Sequence, residues 1–294
     1  PAGAAQAWAE AARLRPGWMA PLANRGIALQ QLQRHAEAEL ALRDALRLQP
    51  DSEPVLTALA ATLHVLGRHR EAAETAEQAA ALAPGRPEPW INLGLALHAL
   101  GRLGDAEAAY RRAIGAVPDA PAAAAMAVYN LGHVLNDQWR RAEALAHFRR
   151  AAALDPDYQP ARQALLFNLL YEPAETEETL YAAHVDWARD LTRRLSATLL
   201  PPPPVDGAIG SRRLRVGYVS PDFRTHSCAW FLQPLFAAHD RNIVEVFAYA
   251  SVAAPDPMTD WFREHTEHWR DIRDLGELGD LAIATRIRAD GIDV

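Results

Sequence analysis

The chain contains one cysteine, Cys228, in 294 residues. An intramolecular disulfide is therefore excluded, and a reducing, cytoplasmic setting is expected. No run of about 18 apolar residues occurs, so no transmembrane helix and no membrane partner are expected. The opening residues, PAGAAQAWAE, lack a basic stretch followed by an apolar one and do not read as a signal peptide. Lys/Arg runs are missing and the net charge is −7, which speaks against a nucleic-acid partner. What remains is a chain half of whose residues are hydrophobic, enough for a sizeable core and, at roughly 150 residues each, about two domains.

The first half repeats. Pro16, Pro50, Pro84 and Pro118 are each 34 residues apart, and Pro156 follows at 38. Ala11, Ala45, Ala79, Ala113 and Ala151 each stand five residues before a proline. A fixed period of 34 is the tetratricopeptide (TPR) period, so residues 1–158 are expected to form an α-solenoid. Ala4, Trp8, Ala11 and Pro16 match second-helix positions and make a partial first repeat. Four repeats follow, at 19–52, 53–86, 87–120 and 121–158. Gly or Ala at 26, 60, 94 and 132 lets paired helices approach closely, as do Ala38, Ala72, Ala106 and Ala144. Leu42, Tyr110 and Phe148 are expected to fill the groove between repeats. The fourth repeat carries four extra residues within DAPAAAAMAVYN, which predict a longer start to its first helix.

Each repeat needs neighbours to bury its apolar face, and stacking them creates a groove. Asn24, Asn92 and Asn130 share one repeat position on the first helix, with Ala58 breaking the series. Asparagine offers both a donor and an acceptor. Such a ladder can hold an extended peptide backbone, although asparagine is also an ordinary residue on a solvated face. His64 and His98 share another position, but neighbouring helices lie ~8–10 Å apart. That is too far for one metal ion, so no metal is expected there. His133, His147 and His184 read as ordinary helix residues.

After Pro156 the repeat decays into a helical connector, 159–200. Its second helix is expected directly after Pro173, with acidic residues early and Arg193 and Arg194 late. Four consecutive prolines then mark a linker at 201–212. From 213 to 294 the period changes. LRVGYV and IVEVFAYA read as buried strands, and CAWFLQPLFAAH, PMTDWFREHTEHW and LGDLAIATRIRADG as helices. Ile292, Asp293 and Val294 read as the start of a third strand. Alternating strands and helices predict a parallel, Rossmann-like α/β sheet. Ligands of such sheets sit beyond the carboxyl ends of the strands. The loop Ser220–Ser227 lies at one such end and holds an aspartate, an arginine, a threonine and a histidine. It is not a G-x-G-x-x-G loop, so no dinucleotide cofactor is implied.

The block from Arg213 to His226, RLRVGYVSPDFRTH, resembles the start of the catalytic region of O-GlcNAc transferases. The order of TPR solenoid, helical connector and then R-L-R-V-G-Y-V-S-x-D-F-x-x-H is also theirs. Val244–Tyr249 and Ala289–Ile292 add to the likeness, which runs along essentially the whole chain and is nearest to the bacterial members. The resemblance implies a metal-independent, inverting GT-B glycosyltransferase with two Rossmann-like lobes. Such an enzyme moves N-acetylglucosamine from UDP-GlcNAc to Ser or Thr hydroxyls of proteins or peptides held along the TPR groove. UDP-GlcNAc is a substrate, and no cofactor is implied. The family histidine falls on His226, either as general base or as an orienting hydrogen-bond partner. Ser220, Pro221, Asp222 and Thr225 are the implied substrate-binding neighbours. Ser227 replaces a proline and Trp230 a second histidine of animal members, which changes the local acceptor contacts. The 82 residues from Arg213 to Val294 are fewer than the family's two lobes require. The chain is therefore expected to be the N-terminal part of a longer enzyme. A TPR adaptor with an inactive α/β domain, or a transferase using GDP-fucose, are the alternatives.

Overall fold

A computed structural model describes residues 2–117, 121–196, 200, 212–276 and 279–294. Pro118 and residues 201–211 of the expected linker lie outside the described residues. Two compact units are present, Pro1–Asp190 and Leu191–Val294. No helix among the described residues is long and apolar enough to cross a membrane.

The first unit is a run of paired antiparallel helices. They are α1 (Ala2–Leu14), α2 (Met19–Gln31), α3 (His35–Leu48), α4 (Glu53–Val65), α5 (His69–Leu82), α6 (Pro87–Ala99), α7 (Leu103–Gly115), α8 (Pro121–Asp137), α9 (Arg141–Leu154) and α10 (Gln159–Leu169). The first helix of the fourth repeat, α8, has 17 residues where α2, α4 and α6 have 13. The four extra residues thus lengthen that helix, as expected.

Size complementarity sets the pairing. A Cβ placed on Gly26 would come 2.6 Å from the Leu42 side chain. One on Gly94 would come 2.6 Å from the Tyr110 ring, and one on Gly132 2.6 Å from the Phe148 ring. The second repeat places Ala60 at this position, and the residue 16 further on is Ala76 instead of a large side chain. Both alanines are buried. Small thus meets large in three repeats, and both positions are alanine in the second. Ala38, Ala72, Ala106 and Ala144 are fully buried opposite these positions.

The connector helix α11 (Glu177–Leu195) starts four residues after Pro173, later than expected. Its start is set by a reciprocal pair: Thr176 N donates to Thr179 Oγ1 at 2.9 Å and Thr179 N to Thr176 Oγ1 at 3.3 Å. Leu180 and Trp187 pack on Leu145, Leu166 and Leu169, which extends the solenoid core by one layer.

The second unit is a parallel sheet between helices. Its elements are β1 (Leu214–Ser220), α12 (Ser227–Ala238), β2 (Val244–Ala250), α13 (Pro257–Glu264), β3 (His268–Asp271), the single turn α14 (Arg273–Gly276) and α15 (Asp280–Ala289). The strand order is β1-β2-β3, all parallel, with Val216 opposite Val246 and Ala250 opposite Asp271. Val246, Ala248 and Ala250 pack on Phe236 and Phe262 on one face. Phe247 and Tyr249 pack towards Ile283, Ile287 and Ile292 on the other.

Two expectations are corrected here. The segment read as one helix, 257–269, is a helix ending at Glu264 followed by strand β3. The sequence HWRD is short and polar, and only pairing with β2 makes it a strand. Second, residues 292–294, read as the start of a third strand, come after β3 in the chain and lie beside β1. Val294 N donates to Arg215 O at 3.2 Å, and Gly217 N donates to Val294 O at 2.8 Å. This is a parallel bridge on the free side of β1. The order of strands therefore reverses beside β1.

Candidate functional site

Open α/β sheets hold ligands where the strand order reverses, beyond the carboxyl ends of the strands. Here that point is the end of β1, and the loop Ser220–His226 occupies it. Several local bonds shape the loop. Asp222 N donates to Ser220 Oγ at 3.0 Å, which turns the chain out of the strand. Phe223 points back into the core and is fully buried. Its ring lies 5.1 Å from Phe262, 5.6 Å from Trp269 and 5.7 Å from Phe236. This anchor leaves its polar neighbours at the surface, where Pro221 and Thr225 are exposed and Asp222 and His226 half-buried.

Thr225 N donates to Asp256 Oδ2 at 2.8 Å. Asp256 also caps α13, accepting from Thr259 N at 3.0 Å while its own N donates to Thr259 Oγ1 at 3.1 Å. One carboxylate therefore ties the loop after β1 to the loop after β2. The Thr225 hydrogen bond, with those from Thr259, holds the Asp256 carboxyl at a pKa of about 2. Asp256 was not among the sequence candidates. The run Asp256-Pro-Met-Thr259 is a legible helix start, but its reach to Thr225 depends on β1 and β2 being neighbours.

His226 is the residue before α12, and its Nδ1 accepts from Cys228 N at 3.2 Å. Asp222 Oδ2 lies 3.5 Å from the same Nδ1. The two partners ask for different tautomers. A ring accepting from Cys228 is bare at Nδ1 and carries its hydrogen on Nε2. A ring donating from Nδ1 to Asp222 frees Nε2 as an acceptor. The amide bond is shorter and is read as the resting state. The imidazole is partly open, with 38 % of its side chain exposed, so a substrate has access to it.

Ser220, Pro221, Asp222, Thr225 and His226 are thus gathered on one loop. The asparagines lie in the other unit, half-buried on α2, α6 and α8. Asn92 Nδ2 donates to Thr57 O of the preceding repeat at 3.0 Å. Two histidines of the solenoid are pushed below their ordinary range by burial, His64 with help from His69 and His98, and His133 with help from His98. His98 Nε2 lies 2.6 Å from Asp137 Oδ2. A depression of about 470 Å³, lined by apolar residues including Leu195, Leu281 and Ile287, contains none of the loop residues.

Comparison with known proteins agrees with this layout. Residues 204–294 match glycosyl transferase family 41. Residues 21–52, 57–121 and 125–154 match tetratricopeptide repeats. The chain is 32% identical over 138 residues to a probable UDP-N-acetylglucosamine–peptide N-acetylglucosaminyltransferase, SPINDLY, of Solanum lycopersicum. That alignment covers 45% of this chain and 14% of the tomato protein. A UDP-N-acetylglucosamine–peptide N-acetylglucosaminyltransferase of Caenorhabditis elegans is 36% identical over 84 residues, covering 28% of this chain and 7% of the relative. The solved structure of a Thermobaculum terrenum O-GlcNAc transferase superposes with a TM-score of 0.53 at 26% identity. It covers 94% of this chain and 44% of that one, so the chain spans less than half the length of these relatives. A TPR solenoid followed by residues that match glycosyl transferase family 41 is the arrangement these comparisons support, and it resembles the N-terminal portion of an O-GlcNAc transferase.

Proposed function

We propose that this chain is the acceptor-guiding and active-site-loop portion of a cytoplasmic protein O-GlcNAc transferase. In this reading a Ser or Thr hydroxyl of the acceptor attacks the anomeric carbon of UDP-GlcNAc. The bond to the UDP oxygen breaks and the configuration inverts, without a metal ion. His226 meets the acceptor hydroxyl. The resting tautomer, with hydrogen on Nε2, can only donate to it and so orient it. To take the hydroxyl proton, Nε2 must be bare, which requires Nδ1 to leave the Cys228 amide and donate to Asp222. The TPR groove guides the acceptor, with Asn24, Asn92 and Asn130 as backbone contacts.

The observation that carries this reading is the position of the loop. The family's D-F-x-x-H residues stand at the strand-order reversal, with Phe223 buried and His226 accessible. The test is sugar transfer by the full-length protein. His226→Ala is expected to lose transfer from UDP-GlcNAc by about 10²-fold or more, the scale of a positioned acid or base. Asp222→Asn separates the two roles of His226: a fall in kcat at constant KM supports proton acceptance. Unchanged turnover in His226→Ala overturns the assignment, and transfer from GDP-fucose instead of UDP-GlcNAc overturns the donor.

A further inference from the structure

One ligand atom each from Asp222, His226 and Cys228 lies within 4.8 Å of the other two. This is the single such cluster of three metal-ligating side chains among the described residues. The turn after β1 sets one of the three and the start of α12 sets the other two. Asp222 is placed by the turn at Ser220, His226 by capping α12, and Cys228 by the first turn of that helix. We propose that Asp222, His226 and Cys228 form a binding site for a thiophilic divalent cation of the zinc type.

The donor set is a carboxylate, an imidazole and a thiolate, the three ligand types that zinc combines. Zinc–ligand bonds of about 2.0–2.3 Å set at tetrahedral angles put the donor atoms roughly 3.3–3.8 Å apart. Nδ1 of His226 and Oδ2 of Asp222 are already 3.5 Å apart. Nδ1 accepts from the Cys228 amide, so it is not protonated, and a metal ion would take its lone pair in place of that amide. Cys228 is exposed and is a free thiol, so its sulfur can turn inward without unpacking the core. Binding replaces the thiol hydrogen by the metal and releases one proton to solvent. Three protein ligands leave a fourth position for water. An ion there takes Nδ1 of His226 away from both the amide and Asp222 and fixes the ring. If the loop serves sugar transfer, as proposed above, the ion is an inhibitor and not a cofactor.

Cobalt(II) reads the site directly, with no need for turnover. Because Cys228 is the only cysteine, a thiolate-to-cobalt charge-transfer band can arise from this residue alone. Titrating the chain with Co²⁺ is expected to give that band at one ion per chain, with the visible absorption of four-coordinate cobalt. Zn²⁺ is expected to displace it. Asp222→Asn and His226→Ala are expected to weaken binding by about tenfold or more, and Cys228→Ser to abolish the band. A His64→Ala/His69→Ala variant, which removes a histidine pair of the solenoid, is expected to leave it unchanged. A wild-type chain without the band overturns the proposal. So does a band whose midpoint is the same in Asp222→Asn and His226→Ala, since the thiol would then be binding alone. Loss of transfer in His226→Ala with the cobalt band absent from wild type would sink the metal site and leave the transferase reading intact.

Discussion

In the solenoid, the contact that spaces paired helices occurs four times. In the α/β unit, the loop after β1 occurs once, and beyond its own local bonds it is tied down by Phe223 and one hydrogen bond from Thr225 to Asp256. The solenoid varies this contact and still forms a helix pair in every repeat: Gly26 with Leu42, Ala60 with Ala76, Gly94 with Tyr110, Gly132 with Phe148. The loop has no second copy against which to vary. A repeated contact tolerates exchange of its parts, whereas a single contact depends on each of them.

The largest expected effect breaks that contrast at Tyr110. Tyr110→Ala removes a fully buried ring and is expected to cost about 3–5 kcal/mol. Gly94→Ala sets a Cβ 2.6 Å from that ring and overpacks the same space, at about 1–3 kcal/mol. The double variant rebuilds in the third repeat the Ala–Ala pair of the second. Its cost is expected to fall short of the sum by about 1 kcal/mol or more. Urea unfolding followed by far-UV circular dichroism measures the cycle. Strict additivity would mean that size complementarity is not what spaces the helices.

These four pairs also explain what could be read from the sequence. Each TPR position is stated several times, so the register and the four-residue extension of the fourth repeat are legible, whereas Leu42, Tyr110 and Phe148, expected between repeats, meet the glycine of their own repeat. The α/β unit speaks once. LRVGYV and IVEVFAYA were legible because each is an apolar run. β3 was not, because HWRD becomes a strand only through pairing with β2. The docking of 292–294 on β1 was equally hidden, since strand order is a property of contacts and not of composition. The candidate site followed the same rule. The loop residues are contiguous and were found together. Asp256 lies 31 positions from Thr225 and was missed.

Asp256 is where the single contact can be probed. Asp256→Ala removes the acceptor for both the Thr225 and the Thr259 amides. Hydrogen exchange at these two amides is expected to speed up, with the solenoid amides unaffected. The pH dependence carries a sign. The carboxyl is held below its usual 3.8, at about 2, so the ionised form is the one that ties the loops. The tie is complete above the ordinary carboxylate range and is lost as pH falls from about 4 towards 2. The Thr225 amide shift, followed by NMR, is expected to titrate in that window. A Thr225 amide that stays protected in Asp256→Ala would show that Phe223 alone holds the loop.

The smallest effect sharpens the solenoid side. The turn between paired helices places Gln33, Gly67, Gly101 and Trp139 at positive φ, from 58° to 76°. The backbone demand repeats, yet only two of the four positions meet it with glycine. A side chain in this region costs roughly 1–2 kcal/mol, while glycine gives back about 0.5–1 kcal/mol through its freer unfolded chain. Gln33→Gly is thus expected to stabilise the solenoid by less than about 1 kcal/mol. Trp139→Gly is expected to gain nothing, because it also removes the stacking of Arg141, 5.5 Å from the Trp139 ring and worth about 0.5–1 kcal/mol at an exposed site. Urea midpoints at constant slope compare the two. Equal gains would mean that the Trp139 ring contributes nothing, and that this turn, unlike the helix pairs, is set by backbone geometry alone.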